Sequence, residues 1–466
     1  MVQSSTDYHR YHIEARNTPG IANWPPRFCV EVGKIGLANH LIKELIHARL
    51  NMEVALSRPC IYGVFSGPIG GFAPRPKYCV ACLRCMNEYP EFVRISPNPA
   101  HWKLGDSYFT SDYVDQLTYE AETGMVPVKG AGYRGKFGGE GWDGMWMDMS
   151  EIVRPTRDGI HGREFISTSV DIGTKPNFLV FGEAGQLAGE PPHTFSIPVP
   201  FIFDALPVSV ESAKVWISLN EAAQTIKTLM VIPLQSLSRY ALSGNHLVPI
   251  VSREEVEKRP ELPFTPRMLE LDGWDAPAFA HLQIAYPQTQ ICLRVPFEAD
   301  LMDLYRKGVR LFHLVTDLHG RSKDGRFVLD LIRQAHQVFV QAGIRDAVTL
   351  IGSGGLIAAE HLPKAILCGV DLIALDSPLM AAWQANFDGE ALDRMNNHFV
   401  LPRKFTVGWG VQRLKNLSAS WRDQLLEVLG AMGLREVRRL RGEMGRAMFM
   451  NELEAEAFAG VEGYGQ

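Results

Sequence analysis

Cys79, Cys82 and Cys85 follow one another at two-residue intervals in the run Cys79-Val-Ala-Cys82-Leu-Arg-Cys85-Met-Asn-Glu-Tyr89-Pro90. Thiolates at this spacing can hold three corners of one iron–sulfur cube, because each short gap turns the chain tightly around the inorganic core. In the bacterial ferredoxin run a fourth Cys followed by Pro comes next. Here Tyr89 takes its place and Pro90 is kept. That fourth Cys normally serves the other cluster of a two-cluster protein, so its loss fits a single cluster with a remote fourth ligand. Cys60 and Cys29 are the upstream candidates, and Cys60 is preferred. Zinc and reduced structural thiols are the competing readings. Zinc favours paired knuckles or Cys/His mixtures, and no second knuckle is present. Cys292 and Cys368 lie in apolar runs and read as small buried hydrophobes.

The elements that must position such a site occupy a chain of 466 residues, enough for two or three domains or one large barrel with attachments. A hydrophobic content of 46% allows a sizeable core, and a net charge of −5 gives no electrostatic case for nucleic acid. Residues 1–20 hold no continuous apolar stretch of the secretory kind, and no apolar run is long enough for a membrane span. Seven cysteines, three in a metal-type run, suit a reducing compartment, so a cytoplasmic location is expected.

Residues 1–56 read as an arm followed by an amphipathic helix from Ile35 to Leu56. Residues 57–100, rich in Gly, Pro and Cys, read as the iron–sulfur module. Residues 101–195 read as an irregular segment of turns and short strands wrapping a neighbouring domain, with Phe165–Asp171 alternating like a strand. Arg154, Arg157, His161 and Arg163 in this segment are candidate substrate contacts or solvated loop charges.

Over residues 196–386, buried strand-like runs alternate with helical patterns. The runs are Ile197–Phe203, Leu229–Ile232, His246–Val251, Met268–Leu271, Ile291–Val295, Val309–Val315, Ala347–Ile351 and Val370–Leu375. Such alternation predicts an α/β fold with a parallel sheet, here a (β/α)8 TIM barrel, with a doubly wound open sheet as the alternative. Residues 387–466 are expected to form a C-terminal helical cap, with helices over Ser418–Ala431 and Leu434–Ala455. The basic run Leu434–Arg441 reads as a solvated helix face.

A barrel places its chemistry at the C-terminal ends of the strands, with phosphate held after strands seven and eight. Run seven ends in Gly354-Gly355, where backbone N–H groups can approach a phosphate closely. Run eight ends in Asp376-Ser377. Ser377 is a candidate phosphate ligand, and either residue is a candidate helix cap. Arg294, inside a buried strand, must be paired or reach the mouth, where it would stabilise negative charge on a reduced flavin. Asp317, His319 and Arg321 close run six, which makes His319 a candidate proton donor.

The pieces Gly138-Gly-Glu-Gly141-Trp142-Asp-Gly-Met145, Ile152–Gly173, the barrel and Gln412–Leu417 together resemble the flavin-binding synthase domain of glutamate synthase, in its short, ferredoxin-like archaeal-type form. The resemblance covers most of residues 57–450. It implies a flavin mononucleotide (FMN) barrel with a 4Fe-4S or 3Fe-4S cluster that makes glutamate from 2-oxoglutarate and ammonia. Carried over by position, Arg294 stands where the family has a Lys beside the flavin, and Gly354 and Gly355 match its phosphate loop. Asp376 and Ser377 replace a Gly-Thr or Gly-Arg, and Ile357 replaces an Arg. Ala205, Leu206 and Ser212 fall where the first strand and its helix pack on the flavin. Gln235 falls near the family's acidic Gly-Glu-Gly turn, which is missing here. Exchange of Lys for Arg changes both shape and hydrogen bonding at such a site.

The chain starts Met-Val-Gln-Ser-Ser, without the N-terminal Cys of the family's amidotransferase domain. Separate amidotransferase and NAD(P)H-dependent reductase subunits are therefore expected as partners. On this reading the protein reduces an imine of a 2-oxo acid to an amino acid. The alternatives are transfer of another amine, such as methylamine, onto glutamate, and a non-catalytic barrel subunit of a larger complex.

Overall fold

The computed structural model describes residues 11–51, 60–127, 141–150, 165–188, 191–258, 262, 264–387, 389–394 and 399–463. The chain divides into two compact units. One consists of Met1–Ile21, Asp115–Pro127 and Phe137–Gln466, the other of Ala22–Val114 and Val128–Lys136. Arg154, Arg157, His161, Arg163 and Gly138–Glu140 lie outside the described residues.

The large unit is built on a closed barrel of eight parallel strands. In chain order these are β1 (Phe201–Phe203), β2 (Met230–Pro233), β3 (Leu247–Val251), β4 (Met268–Asp272), β5 (Gln290–Pro296), β6 (Leu311–Val315), β7 (Thr349–Ser353) and β8 (Leu372–Leu375). Each expected strand is present, and β8 pairs with β1 to close the ring. The strands are almost wholly buried, as expected where helices cover the outside of a parallel sheet. Helices such as Ala213–Ile226, Val328–Gln341 and His361–Cys368 supply that cover, and Ser212 caps the first by accepting the Val215 N–H.

A hairpin of Val170–Thr174 with His193–Ile197 lies at the N-terminal end of the barrel. There Thr349 Oγ1, at the start of β7, donates to Gly173 O at 3.2 Å, and Gln290, at the start of β5, donates to His193 O at 2.9 Å. The strand expected over Phe165–Asp171 thus begins later, at Val170.

The C-terminal region departs from expectation. A helix of Val407–Ala431 packs along Ala213–Ile226, buries Trp421 and Arg413, and is followed by no long helix. Instead, Gly433 and Gly442 take positive φ of 70° and 71°, the chain makes two short turns, and Ala447–Phe449 pairs with Met145–Met147 before a final helix, Met450–Ala457. The basic run is not a solvated helix face either. Arg438 forms a two-bond pair with Asp171, and Arg441 holds Asp371 and Asp346. These ion pairs fix the arginines at separate points and break the helical period.

Among its described residues the small unit contains an antiparallel pair, Phe28–Val32 with Val93–Pro97, and the α-helices Lys34–His47 and Arg84–Glu88. The first is shorter than expected: it ends at His47, and residues 52–56 lie outside the described residues. Val30, Val64 and Cys79 form the unit's buried centre, with Cys60, Phe65 and Ile95 packed on it.

Candidate functional site

Two sites emerge, one in each unit. In the small unit Cys60, Cys79, Cys82 and Cys85 line a common cavity together with Val30, Val64 and Ile95. Cys29 lies on a strand, opposite Ser96, and is not among the lining residues. The cysteine loop bends sharply. Ala81 and Leu83, on either side of Cys82, take left-handed φ of 51° and 59°, a conformation worth about 1–3 kcal/mol of strain in a non-glycine residue. Burial, and after it the thiols of Cys79, Cys60 and Cys82, push the Cys85 thiol up. Cys82 is the exposed member and Cys79 the buried one.

Among the described residues no three of these sulfurs lie within 4.8 Å of one another. Cys292 and Cys368 are fully buried elsewhere, and burial pushes Cys368 up to about 12.

In the large unit, buried charges gather inside the barrel, from the middle of its strands to their C-terminal ends. Asp204 follows β1 directly, Glu270 lies on β4, Arg294 on β5, His313 on β6 and Ser353 at the end of β7. Register puts Arg294 beside His313 on one side and Asp272 on the other. Arg294 grips Asp204 with both terminal nitrogens, at 2.8 and 3.0 Å, and donates to Glu270 at 3.2 Å. Ser353 also donates to Asp204, at 2.7 Å. Burial pushes the Asp204 carboxyl up, yet Arg294, His313 and Arg394 together hold it well below the usual range. Burial likewise opposes the charge on Arg294, and Asp204 and Glu270 overcome it.

His313 Nδ1 lies 2.7 Å from Glu270 Oε1 and 3.1 Å from Arg294 Nη1. A carboxylate only accepts, so Nδ1 is assigned the proton and donates to Glu270; Arg294 is then a close neighbour rather than a donor. His313 Nε2 is buried without a hydrogen-bond partner, 3.9 Å from Asp204 Oδ2.

Above this layer sits Arg394. It contacts Asp204 at 3.0 Å, Ser353 Oγ at 2.7 Å and Thr316 O at 3.3 Å. Its Nη2 lies 2.8 Å from Asp376 Oδ2 without hydrogen-bond alignment. Asp376 Oδ1 accepts the Ser377 N–H, which makes Asp376 the cap of the short helix Ser377–Ala382. Burial pushes Asp376 up, against the pull of Arg394. Ser377 Oγ is buried and has no partner.

Gly354 and Gly355 are used differently from the phosphate cradle expected. Both take positive φ, and their faces meet protein. A Cβ on Gly354 would lie 2.1 Å from Thr316 Oγ1, and one on Gly355 would lie 2.5 Å from Gly320 Cα. The Gly355 N–H donates to Leu318 O, and its carbonyl accepts from Trp142 at 2.9 Å. The glycines let two rim loops touch. Trp142, in the Gly-Trp-Asp-Gly motif, anchors them and stacks on His361 at 5.0 Å.

His319 is buried in the rim loop after β6. Gln235 is exposed in the helix that follows β2, so it reaches the same rim on the solvent side. Leu206 is buried after β1, and Ala205 donates its N–H to Asp204. Arg294 is thus brought together with Asp204, Glu270, His313 and Arg394, none of which was singled out from sequence. An acid directly after a barrel strand and a His inside one are the signals that point to Asp204 and His313.

The residues fit a bound polar cofactor in one respect. Three buried polar atoms, on His313 in the middle of β6 and on Asp376 and Ser377 just after β8, lack hydrogen-bond partners, and such orphans call for a ligand or water. Of these, Ser377 Oγ is the atom that can donate to an anionic group, whereas Arg394 is already held by Asp204, Ser353 and Thr316 O.

No protein-family model matches the chain. It is similar to an archaeal-type glutamate synthase (NADPH) of Dehalococcoides mccartyi, 22% identical over 439 residues, covering 79% of this chain and 86% of that protein. An archaeal glutamate synthase (NADPH) of Archaeoglobus fulgidus is 21% identical, with 83% and 89% covered. The resemblance read from the sequence is therefore found again, at low identity, over most of the chain. Among solved structures, a flavocytochrome b2 variant with sulfite bound aligns with a TM-score of 0.44 at 13% identity, covering 76% of this chain and 82% of that one. A mandelate oxidase variant aligns at 0.43 and 13%, covering 73% and 91%. Among the described residues no helix is long and apolar enough to cross a membrane.

Proposed function

We propose that the chain is a glutamate synthase-like flavin oxidoreductase that carries an iron–sulfur cluster and reduces an imine of a 2-oxo acid. The glutamate synthases it is similar to support the reaction class. The observation that carries the reading is the buried charge layer that runs from inside the barrel to the C-terminal ends of its strands, with three orphaned polar atoms in and beside it. Bound flavin mononucleotide would supply hydride chemistry and the cluster one-electron transfer.

The rest belongs to the chain. Ser377 would bind the phosphate, and Ala205, Leu206 and the Gly354–Gly355 turn would shape the wall. Arg294 fixes positive charge within the barrel. Glu270 orients His313 so that Nε2 is left to hold or pass a proton. His319 and Gln235 stand on the rim where a 2-oxo acid would enter. Cys60, Cys79, Cys82 and Cys85 would hold the cluster, and separate amidotransferase and NAD(P)H-dependent reductase subunits would supply ammonia and electrons.

A reductive assay tests the reading: anaerobic protein, a chemical reductant, 2-oxoglutarate, and either ammonia or methylamine. Glutamate formation that falls in His313→Gln supports it, whereas product from methylamine alone moves the substrate to the amine-transfer alternative. One observation favours a second reading, a non-catalytic barrel subunit. Arg294 and the Gly355 N–H already have protein partners. Protein that holds iron, binds no flavin and forms no product would establish it.

A further inference from the structure

Asp376 and Ser377 stand side by side just after β8, each 1% exposed, and each has a side-chain oxygen without a hydrogen-bond partner. The two atoms, Asp376 Oδ2 and Ser377 Oγ, ask for opposite things. A hydroxyl can donate to an anionic oxygen, whereas an ionised carboxylate only accepts. A phosphate that accepts from Ser377 Oγ therefore comes to lie beside a second acceptor-only anion, and burial makes that repulsion costly.

The surrounding charges do not absorb it. Arg394 reaches Asp376 Oδ2 at 2.8 Å without hydrogen-bond alignment, and its hydrogen bonds go to Asp204, Ser353 Oγ and Thr316 O. Arg294 is committed to Asp204 and Glu270, and His313, with its one proton given to Glu270, is neutral. With every carboxyl ionised, three acids, Asp204, Glu270 and Asp376, stand against two guanidinium groups, Arg294 and Arg394. Asp272, at the exposed end of β4, adds a further acid. The layer is already in negative excess before a ligand enters.

Uptake of a proton by one acid removes the obstacle. Burial pushes Asp204 up, but Arg294, His313 and Arg394 hold it well below the usual range. Glu270 accepts from both Arg294 and His313. Asp376 is the acid left with an unpartnered oxygen, and burial pushes it up, with the Asp204 charge adding to the effect and Arg394 opposing it. Once protonated, its carboxyl is a donor next to Ser377 Oγ, and two orphaned oxygens serve one anion.

We propose that Asp376 is a proton-coupled gate on the phosphate site: an anion is admitted at Ser377 only as the Asp376 carboxylate takes up one proton from solvent. The identity of the anion rests on the flavin reading above.

The test is calorimetric titration of flavin mononucleotide into the anaerobic, flavin-stripped full-length protein, in buffers of different ionisation enthalpy and across about pH 6.5–8.5. About one proton taken up per flavin bound is expected, with Kd rising about tenfold per pH unit. Asp376→Asn offers a neutral donor that does not titrate. It should bind without proton uptake, and at pH 8.5 more tightly than the unaltered protein, with circular dichroism unchanged. His313→Gln, which removes another group able to accept a proton, should keep the uptake. Binding without proton uptake would overturn the proposal and leave the flavin reading standing. Uptake that persists in Asp376→Asn, or weaker binding by that variant at pH 8.5, would overturn it as well. No binding by either the unaltered protein or Asp376→Asn would remove the flavin reading and the gate together.

Discussion

Arg294 and Asp204 meet across the interior of the barrel, from β5 and from the residue after β1, in a two-bond pair of 2.8 and 3.0 Å. Both are buried, and Asp204 also receives Ser353 and Arg394. Because removing one member of a buried pair leaves an uncompensated charge, Asp204→Asn should destabilise the protein by about 3–5 kcal/mol. Arg294→Lys keeps the charge but gives up the forked geometry, and should lose about 1.5–3 kcal/mol. Urea unfolding followed by circular dichroism measures both, and a loss below 1 kcal/mol on the order expected for an exposed pair would show that the layer is not a buried network.

Acid should weaken the fold through these same carboxylates. Burial raises Asp204 and Asp371, but their arginine partners win, and Asp371 is lowered to about 2. A folded value below the unfolded one, about 3.9, means that the stabilisation is present above pH 4 or so and is lost as the pH falls toward 2. Asp376, Asp317 and Asp272 are raised by burial and act in the opposite sense, which softens the start of the decline. Calorimetric Tm between pH 6 and pH 2.5 should therefore fall most steeply below about pH 4.

Gly355→Ala separates two uses of the glycine turn. With φ of 67° and a Cβ 2.5 Å from Gly320 Cα, alanine there should reduce the stability of cofactor-free protein by about 1–3 kcal/mol or more. A turn that served only to admit a phosphate would leave cofactor-free stability unchanged and alter flavin affinity alone. Thermal melts of flavin-stripped protein read the difference.

The eight strands were legible because buried parallel strands read as short apolar runs, and their chain order survives as their order in the barrel. The charge layer was less legible. His313 sits inside Leu-Phe-His-Leu-Val, where its partner Glu270 is 43 positions away, and Asp204 is 90 positions from Arg294. Such pairs exist only once the barrel closes. The expected helix after Leu434 failed for the same reason, since Arg438 and Arg441 answer to acids on distant strands and turns. Local period could not register that pull. Gly354 and Gly355 were found for their type, while their use in loop contact depended on Thr316 and Gly320 lying opposite.

The cysteine set is testable one residue at a time. Cys60, Cys79, Cys82 and Cys85 share a cavity, and Cys29 stands apart on its strand. Cys82→Ser and Cys60→Ser should each lower bound iron and broad visible absorption, with the barrel still folded by circular dichroism. Cys29→Ser should keep both. Iron loss in Cys29→Ser with none in Cys60→Ser would reverse the assignment of the fourth ligand.

The most direct measurement is the absorption spectrum of anaerobically purified protein, with iron and released flavin quantified on the same sample. Flavin bands over a broad cluster shoulder, with about four irons per chain for a complete cube, are expected. A colourless protein that carries zinc, or neither metal nor flavin, would contradict the redox function proposed for both sites.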